Sequence, residues 1–377
     1  MRFSEVIGQN KIKEKIIQTV REERVSHAQM LSGEEGFGGL PLAIAFSQFI
    51  LCEDRKENDS CGECPSCQKT SKLIHPDLHF VFPVTATKTN SKPVSDDFIT
   101  EWREALIEDP YLSTNRWYNY LGLENKQGMI YTHESENLIK KLSLKTFEAE
   151  YKVMVIWQPE RMNPTCSNKL LKIIEEPPPK TLFLMVSLLP EQLLPTLLSR
   201  LQRINIPGIE NDILVDFLQN RHDLPLRELR KVAKLANGSI TRATEFIRSV
   251  DDYSTIFTLF KKWMRLCYKN NIPGILEWVD EVSNLGREKK KLFLIYSLRM
   301  IRENFLLNSM SNYKDRLVRL SENEEDFSNK FFPFIHEKNI FRLTEEINKT
   351  IADIEANAYS KTVFLDLSFQ IMGLIKK

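Results

Sequence analysis

The stretch Leu31-Ser32-Gly33-Glu34-Glu35-Gly36-Phe37-Gly38-Gly39-Leu40 limits what this chain can fold into more than any other. The mostly apolar residues Ala28 to Leu31 read as a buried strand, and the apolar spacing from Pro41 to Ile50 predicts a helix behind the glycines. Strand, glycine loop and helix together form the frame of a phosphate-binding loop. Such a loop surrounds phosphates with backbone N–H groups, sets a lysine on the outer phosphates and gives a hydroxyl to Mg²⁺. Counting from Gly33, Gly39 stands at the lysine position and Leu40 at the hydroxyl position. Neither can carry charge or hold a metal. The frame reads as a nucleotide-binding fold that has stopped hydrolysing nucleotide, against the alternative of a glycine-rich turn with no such ancestry. ATP binding at Gly33, Gly36, Gly38 and Gly39 is not expected.

A second loss lies far along the chain. The strand predicted over Tyr151 to Ile156 would, in a nucleotide hydrolase, end in acidic residues that hold Mg²⁺ and polarise water. Here it ends in Trp157-Gln158-Pro159-Glu160, so the metal carboxylate is missing. Two losses at separate points argue that the catalytic requirement itself is gone.

Cys52, Cys61, Cys64 and Cys67 are spaced C-x₈-C-x₂-C-x₂-C. Met1 to Gly8 has no apolar signal core and no apolar run is long enough to span a bilayer, so a cytoplasmic chain with no membrane partner is expected. In a reducing compartment four clustered thiols point to a metal and not to disulfides. C-x₂-C turns bring two thiolates to one ion, and four protein ligands leave no position for water, so a structural zinc is expected. Cys166 and Cys267 read as buried apolar residues, and His27 as a structural one. With the zinc shell full, His75 and His79 are not expected to hold a second metal.

The 52 basic and 51 acidic side chains give a formal net charge of +1, which excludes a chain that coats nucleic acid or membrane by bulk charge. Strands and helices alternate through residue 206, which implies a parallel α/β sheet with helices on both faces. Within it, Asn163-Pro164 is a helix start, and Glu134 to Leu144 is predicted helical with Leu138, Ile139 and Leu142 facing the core. A helix over Pro190 to Leu201 is expected to end near Arg200. Residues 81 to about 130 look inserted, with a polar loop from Thr85 and aromatics that suit packing better than base stacking. Beyond Pro207-Gly208 the strand signals vanish. Residues 209–250 read as a small helical unit, and Tyr253–Tyr268, Ile275–Leu285, Lys289–Leu307 and Tyr359–Lys377 as helices. Between the last two, Ser321 to Asp326 reads as an acidic loop and Phe331 to Phe334 as an apolar patch. The run Lys289 to Lys291 reads as a solvated helix start.

In their order, Gly8-Gln9, Ser26-His27-Ala28, the altered loop, the four cysteines, Leu170-Leu171-Lys172-Ile173-Ile174-Glu175-Glu176-Pro177-Pro178 and Leu194-Pro195-Thr196-Leu197-Leu198-Ser199-Arg200 resemble the bacterial clamp-loader subunits of DNA polymerase III. The resemblance covers residues 1 to about 250, and the C-terminal helices only by composition and length. It implies an α/β N-terminal AAA+ (RecA-like) domain over 1–206 carrying the zinc module (52–67), a helical lid over 207–250 and an all-α collar over 251–377. It implies a five-membered ring with gamma/tau- and delta-type subunits, which acts on a sliding clamp and on primer-template DNA through the assembled complex. Members carry Ser-Arg-Cys where this chain has Ser199-Arg200-Leu201, and the arginine reaches the γ-phosphate of ATP on the neighbouring subunit. The resemblance thus gives Arg200 a catalytic role in trans. Arg242, after Gly238-Ser239, lies where the lid would place a nucleotide-sensing arginine, with an ordinary surface arginine as the alternative. ATP-hydrolysing gamma/tau members keep lysine and threonine at Gly39 and Leu40, so the non-hydrolysing type is the closer match. The alternatives are a hydrolysing member with an aberrant loop, and a zinc-dependent DNA-binding protein, which would need a cationic recognition helix beside the cysteines.

Overall fold

Within each buried strand, successive side chains turn to opposite faces of one five-stranded parallel sheet. The computed structural model describes residues 1–86, 90–122, 128–248, 250–309 and 320–375, which form two compact units, 1–244 and 245–377. In the first, β1 (Ala28–Ser32), β2 (Leu78–Val81), β3 (Lys152–Trp157), β4 (Thr181–Ser187) and β5 (Gln202–Asn205) run in the order β2-β3-β4-β1-β5. Leu31, Val153, Val155, Trp157, Leu182, Leu184 and Val186 share one core, while Ala28, Met30, Met154, Ile156, Phe183 and Met185 share another. That period of two, with every residue of β1, β3 and β4 buried, is the mark of a sheet covered on both faces.

The first core is closed by α1 (Asn10–Arg21) and α2 (Gly39–Leu51), with α3 (Pro65–Ser71) after them. The expected insertion supplies α4 (Ile99–Glu108) and α5 (Thr114–Tyr120), whose Trp102 and Trp117 meet edge to face at 5.0 Å. Both indoles are fully buried, so these aromatics pack and do not offer faces for stacking. Of the polar loop that begins at Thr85, residues 87–89 lie outside the described residues.

The second core lies under α6 (Thr132–Ser143) and α7 (Pro164–Glu175). Asn163 caps α7, its side-chain oxygen accepting the Thr165 N–H at 2.9 Å, with Pro164 at the first helical position. Leu138 and Leu142 face the core as expected, but Ile139 is 45% exposed. One residue is a turn of about 100° around a helix, so only the i, i+4 pair shares the buried stripe. The helix expected over Pro190–Leu201 is broken into a 3₁₀ turn at Pro190–Gln192 and the four-residue α8 (Pro195–Leu198). Pro195 forces the residue before it extended (Leu194 ψ 132°), which stops a continuous helix. Three helices complete the unit: α9 (Asn211–Gln219), α10 (Leu226–Ala236) and the start of α11 (Ile240–Arg248).

The second unit holds α12 (Val250–Lys269), α13 (Ile272–Ser283), α14 (Arg287–Ser309), α15 (Glu322–Phe331), α16 (Ile340–Glu355) and α17 (Ser360–Ile375). Trp263 and Trp278 stack at its centre, 5.1 Å apart and 2° from parallel. The acidic loop expected at Ser321–Asp326 is instead the first turn of α15. Ser321 is its cap, and the Ser321 N–H donates to Glu324 Oε2 at 2.8 Å in a reciprocal capping box. Glu324 also accepts from the Tyr296 hydroxyl at 2.6 Å and pairs with Arg299, so this acid is buried. Helix α16, which the sequence reading did not assign, buries Leu343, Ile347, Thr350 and Ile354. In the lysine run, Lys290 donates to Ser360 Oγ and Lys291 pairs with Glu355. Among the described residues no helix is long and apolar enough to cross a membrane.

Candidate functional site

The glycine loop leaves the C-terminal end of β1, flanked in the sheet by β4 and β5. It starts under close constraint: the Gly33 N–H donates to Ser187 O at 3.2 Å, and a Cβ on Gly33 would stand 2.6 Å from Ile206 O. Gly38, at φ +100°, ends the loop and caps α2, which begins at Gly39, two residues before the expected Pro41.

Distant parts of the chain bind the carboxylate and carbonyl groups of the loop. Glu35 Oε1 accepts both the Thr114 N–H and the Thr114 hydroxyl at 2.7 Å, and Gln158 Nε2 donates to the same hydroxyl oxygen. The Ser239 hydroxyl donates to Glu35 O at 2.7 Å, and the Ile240 N–H to Gly36 O at 3.1 Å. Gln9 Nε2 bridges Phe37 O and Pro207 O. The Tyr111 ring packs over Gly38, and its hydroxyl accepts the Ile7 N–H at 2.8 Å. Burial pushes that phenol well above its usual range, so it stays protonated. A cavity beside the loop, lined among others by Gly33, Gly38, Tyr111, Trp157 and Val186, holds about 20 Å³. That is room for a single water. Arg242 pairs with Glu34, so the one acid of the loop aimed outward is also neutralised.

At the end of β3 the carboxylate of Glu160 is already engaged. Glu160 accepts the Ser187 hydroxyl at 2.9 Å and the N–H groups of Leu188 and Leu189. Gln158, at φ +54° and buried, turns the chain toward it.

The four cysteines converge on the rim of the first unit. Cys52 ends α2, and Cys64 caps α3 with Pro65 at its first position. All four sulfurs lie within 4.8 Å of one another, with pairs at 3.6, 3.8 and 4.0 Å. A tetrahedral ion with metal–sulfur bonds of about 2.3 Å separates its sulfurs by about 3.8 Å, so the cluster could hold one. Backbone N–H groups of Cys61, Glu63, Cys64 and Cys67 point at sulfurs at 3.3–3.4 Å, as they do toward thiolates. Burial raises the Cys61 thiol, but the Cys64 and Glu63 N–H groups outweigh it and bring it down to about 7. Burial pushes Cys52 and Cys67 up, an opposition that a cation would reverse.

Cys166 and Cys267 are buried and unpaired with each other, as expected. His27 Nε2 lies 2.9 Å from Ile174 O, a structural contact. His75 and His79 join no metal-type cluster among the described residues. Arg200 lies beyond α8, paired with Glu175. Sequence reasoning missed Thr114, Tyr111, Ser239 and Ile240. They reach the loop from 73 to 204 positions away.

Fold and site together define a parallel α/β chain with a glycine loop closed from within and a four-cysteine cluster at its rim. The family model described as "DNA polymerase III, delta subunit" matches residues 8–210, and the chain belongs to that family. It is similar to the DNA polymerase III subunit delta' of Bacillus subtilis (strain 168), with 23% identity over 241 residues, covering 64% of this chain and 60% of that protein. It is also similar to subunit tau of the same organism, with 22% identity over 311 residues, 77% of this chain and 48% of that one. The chain thus spans about half to three fifths of the length of these curated relatives. Among solved structures it is similar to a DNA polymerase III gamma subunit-related protein from Thermotoga maritima, with 14% identity and a TM-score of 0.39 over 96% of this chain and 99% of that one.

Proposed function

We propose that this chain is a non-hydrolysing, delta-prime-type subunit of a DNA polymerase III clamp loader. In this reading residues 1–206 are an AAA+ domain, 207–250 a lid and 251–377 a collar that completes a ring with gamma/tau- and delta-type subunits. The ring opens a sliding clamp and loads it on primer-template DNA, and Arg200 offers its guanidinium to ATP on a neighbour, where fixed charge stabilises the transferring phosphoryl group. The cysteines hold a structural zinc through Cys52, Cys61, Cys64 and Cys67.

The observation that carries the reading is the filled loop. With Gly39 and Leu40 in place of lysine and hydroxyl, and about 20 Å³ of space, the chain supports shape and not turnover. Family membership supports the assembly. The test is to purify the chain with its candidate partners, weigh the complex, and measure ATPase on primed DNA with clamp. The expected result is a ring whose turnover falls when Arg200→Ala is introduced, while the isolated chain turns over no ATP. Mg²⁺-dependent hydrolysis by the isolated chain, abolished by a change near Gly39, would favour a gamma/tau-type ATPase and overturn the proposal.

A further inference from the structure

Arg200 is held at two edges by neighbouring elements. Its Nε donates to Glu175 Oε1 at 2.7 Å and its Nη2 lies 2.5 Å from the same oxygen. Its Nη1 donates to Thr196 O at 2.7 Å. Glu175 is the last residue of α7 and Thr196 belongs to α8, so two elements fix one guanidinium. The arginine side chain keeps 37% of its surface exposed. Nη1 also lies 3.4 Å from Ser199 Oγ, so of the five N–H donors of the guanidinium one on Nη2 remains for an incoming anion.

A stabilising role explains this arrangement poorly. Exposed ion pairs contribute little to stability, and a carboxylate in the last turn of a helix opposes the helix dipole. A free arginine arm, by contrast, carries large rotamer entropy that must be lost whenever it meets a phosphate. We infer that Glu175 is a positioning residue that holds Arg200 in the orientation it presents to a neighbouring subunit's triphosphate. The inference rests on the proposed role of Arg200 in trans.

The test is ATPase kinetics of the reconstituted ring, with clamp and primed DNA, for wild type, Arg200→Ala, Glu175→Ala, Glu175→Gln and the Glu175→Ala/Arg200→Ala double variant. Ring mass is measured for each to confirm assembly. Glu175→Ala is expected to lower kcat several-fold with KM for ATP unchanged, Glu175→Gln to retain part of the wild-type rate, and Glu175→Ala to add nothing once Arg200 is gone. If Arg200→Ala lowers kcat and Glu175→Ala leaves it unchanged or raises it, the positioning role is wrong and the trans role stands. A Glu175→Ala loss that persists in the Arg200→Ala background also overturns it, as general damage. If Arg200→Ala has no effect, the underlying reading fails and this inference fails with it.

Discussion

Asp59, inside the cysteine module, grips Phe3: one carboxylate oxygen accepts the Phe3 N–H at 2.9 Å and the other accepts the Ser4 N–H at 2.9 Å. A few residues on, the Ile7 N–H meets Tyr111 and Gln9 meets Phe37 O, so the strap from 3 to 9 runs from the module to the glycine loop. The module therefore organises the loop's cover as well as its own turns. Asp59→Ala is predicted to cost about 1.5–3 kcal/mol, the range for hydrogen bonds to a charged group. With a metal on the four cysteines, as proposed, its removal by chelator is predicted to loosen the same strap. Amide hydrogen exchange checks both: protection should fall at residues 3–9. Exchange that rises only in 52–67 would show that the strap is independent.

Gly36 is irreplaceable for two separable reasons. Its φ of +84° is a left-handed conformation, and an added Cβ would stand 2.3 Å from Ser239 Oγ and 2.8 Å from the Thr241 nitrogen. Gly36→Ala is predicted to destabilise by about 2–5 kcal/mol, the sum of backbone strain and overpacking. Gly122, at φ +65° with no atom of the other described residues within 4 Å, isolates the first part, and Gly122→Ala should cost only about 1 kcal/mol. Denaturant midpoints at unchanged slope measure both. Equal costs would mean that the Ser239 contact gives way freely.

Acid should weaken the first unit above the range of ordinary carboxylates. Burial, helped by Lys141 and Lys152, lowers His79 to about 4 from the ordinary 6.5. Above pH 6.5 the imidazole is neutral in both folded and unfolded chains, and its contribution is complete. As pH falls toward 4 the unfolded chain takes up the proton first, and about 3 kcal/mol is lost across that window. Asp77 acts lower down. Burial works against its charge, but the N–H groups of Glu148, Phe147 and Ala149 outweigh it and set its pKa below 3.8, so its share goes only at lower pH. His79→Gln is predicted to flatten the stability profile between pH 6.5 and 4. A profile unchanged by that substitution would assign the loss elsewhere.

Local signals carried much of this structure, and their failures share a cause. β1, the Asn163-Pro164 helix start and the cysteine spacing depend on neighbours in sequence, and each stands where the residues put it. Ile139 was misplaced because an apolar residue beside a stripe reads the same as one within it. Ser321 to Asp326 was misread because charge density outweighed the serine–glutamate capping pattern beneath it. The filling of the loop was not legible at all. Glu35 meets Thr114 across 79 positions and Ser239 meets Glu35 across 204, and nothing in either stretch announces the other.

That filling makes a prediction that residue identity alone does not. Installing the phosphate-loop residues as Gly39→Lys with Leu40→Thr should fail to confer ATP binding. A Cβ at Gly39 already meets Val186 Cγ1 at 3.2 Å, and Leu40 is buried in the first core. The bonds from the N–H and hydroxyl of Thr114 to Glu35, and those that Ser239, Ile240 and Gln9 donate to loop carbonyls, hold the loop in its present conformation. At about 1 kcal/mol for each of these five hydrogen bonds, opening costs roughly 5 kcal/mol, or nearly four decades in affinity. Titration calorimetry with Mg²⁺-ATP is predicted to show no binding at millimolar nucleotide for the double variant. Adding Tyr111→Ala, which removes the ring over Gly38, should recover part of the affinity. Submicromolar binding by the double variant alone would mean that the missing lysine and hydroxyl, and not the packed cover, keep nucleotide out.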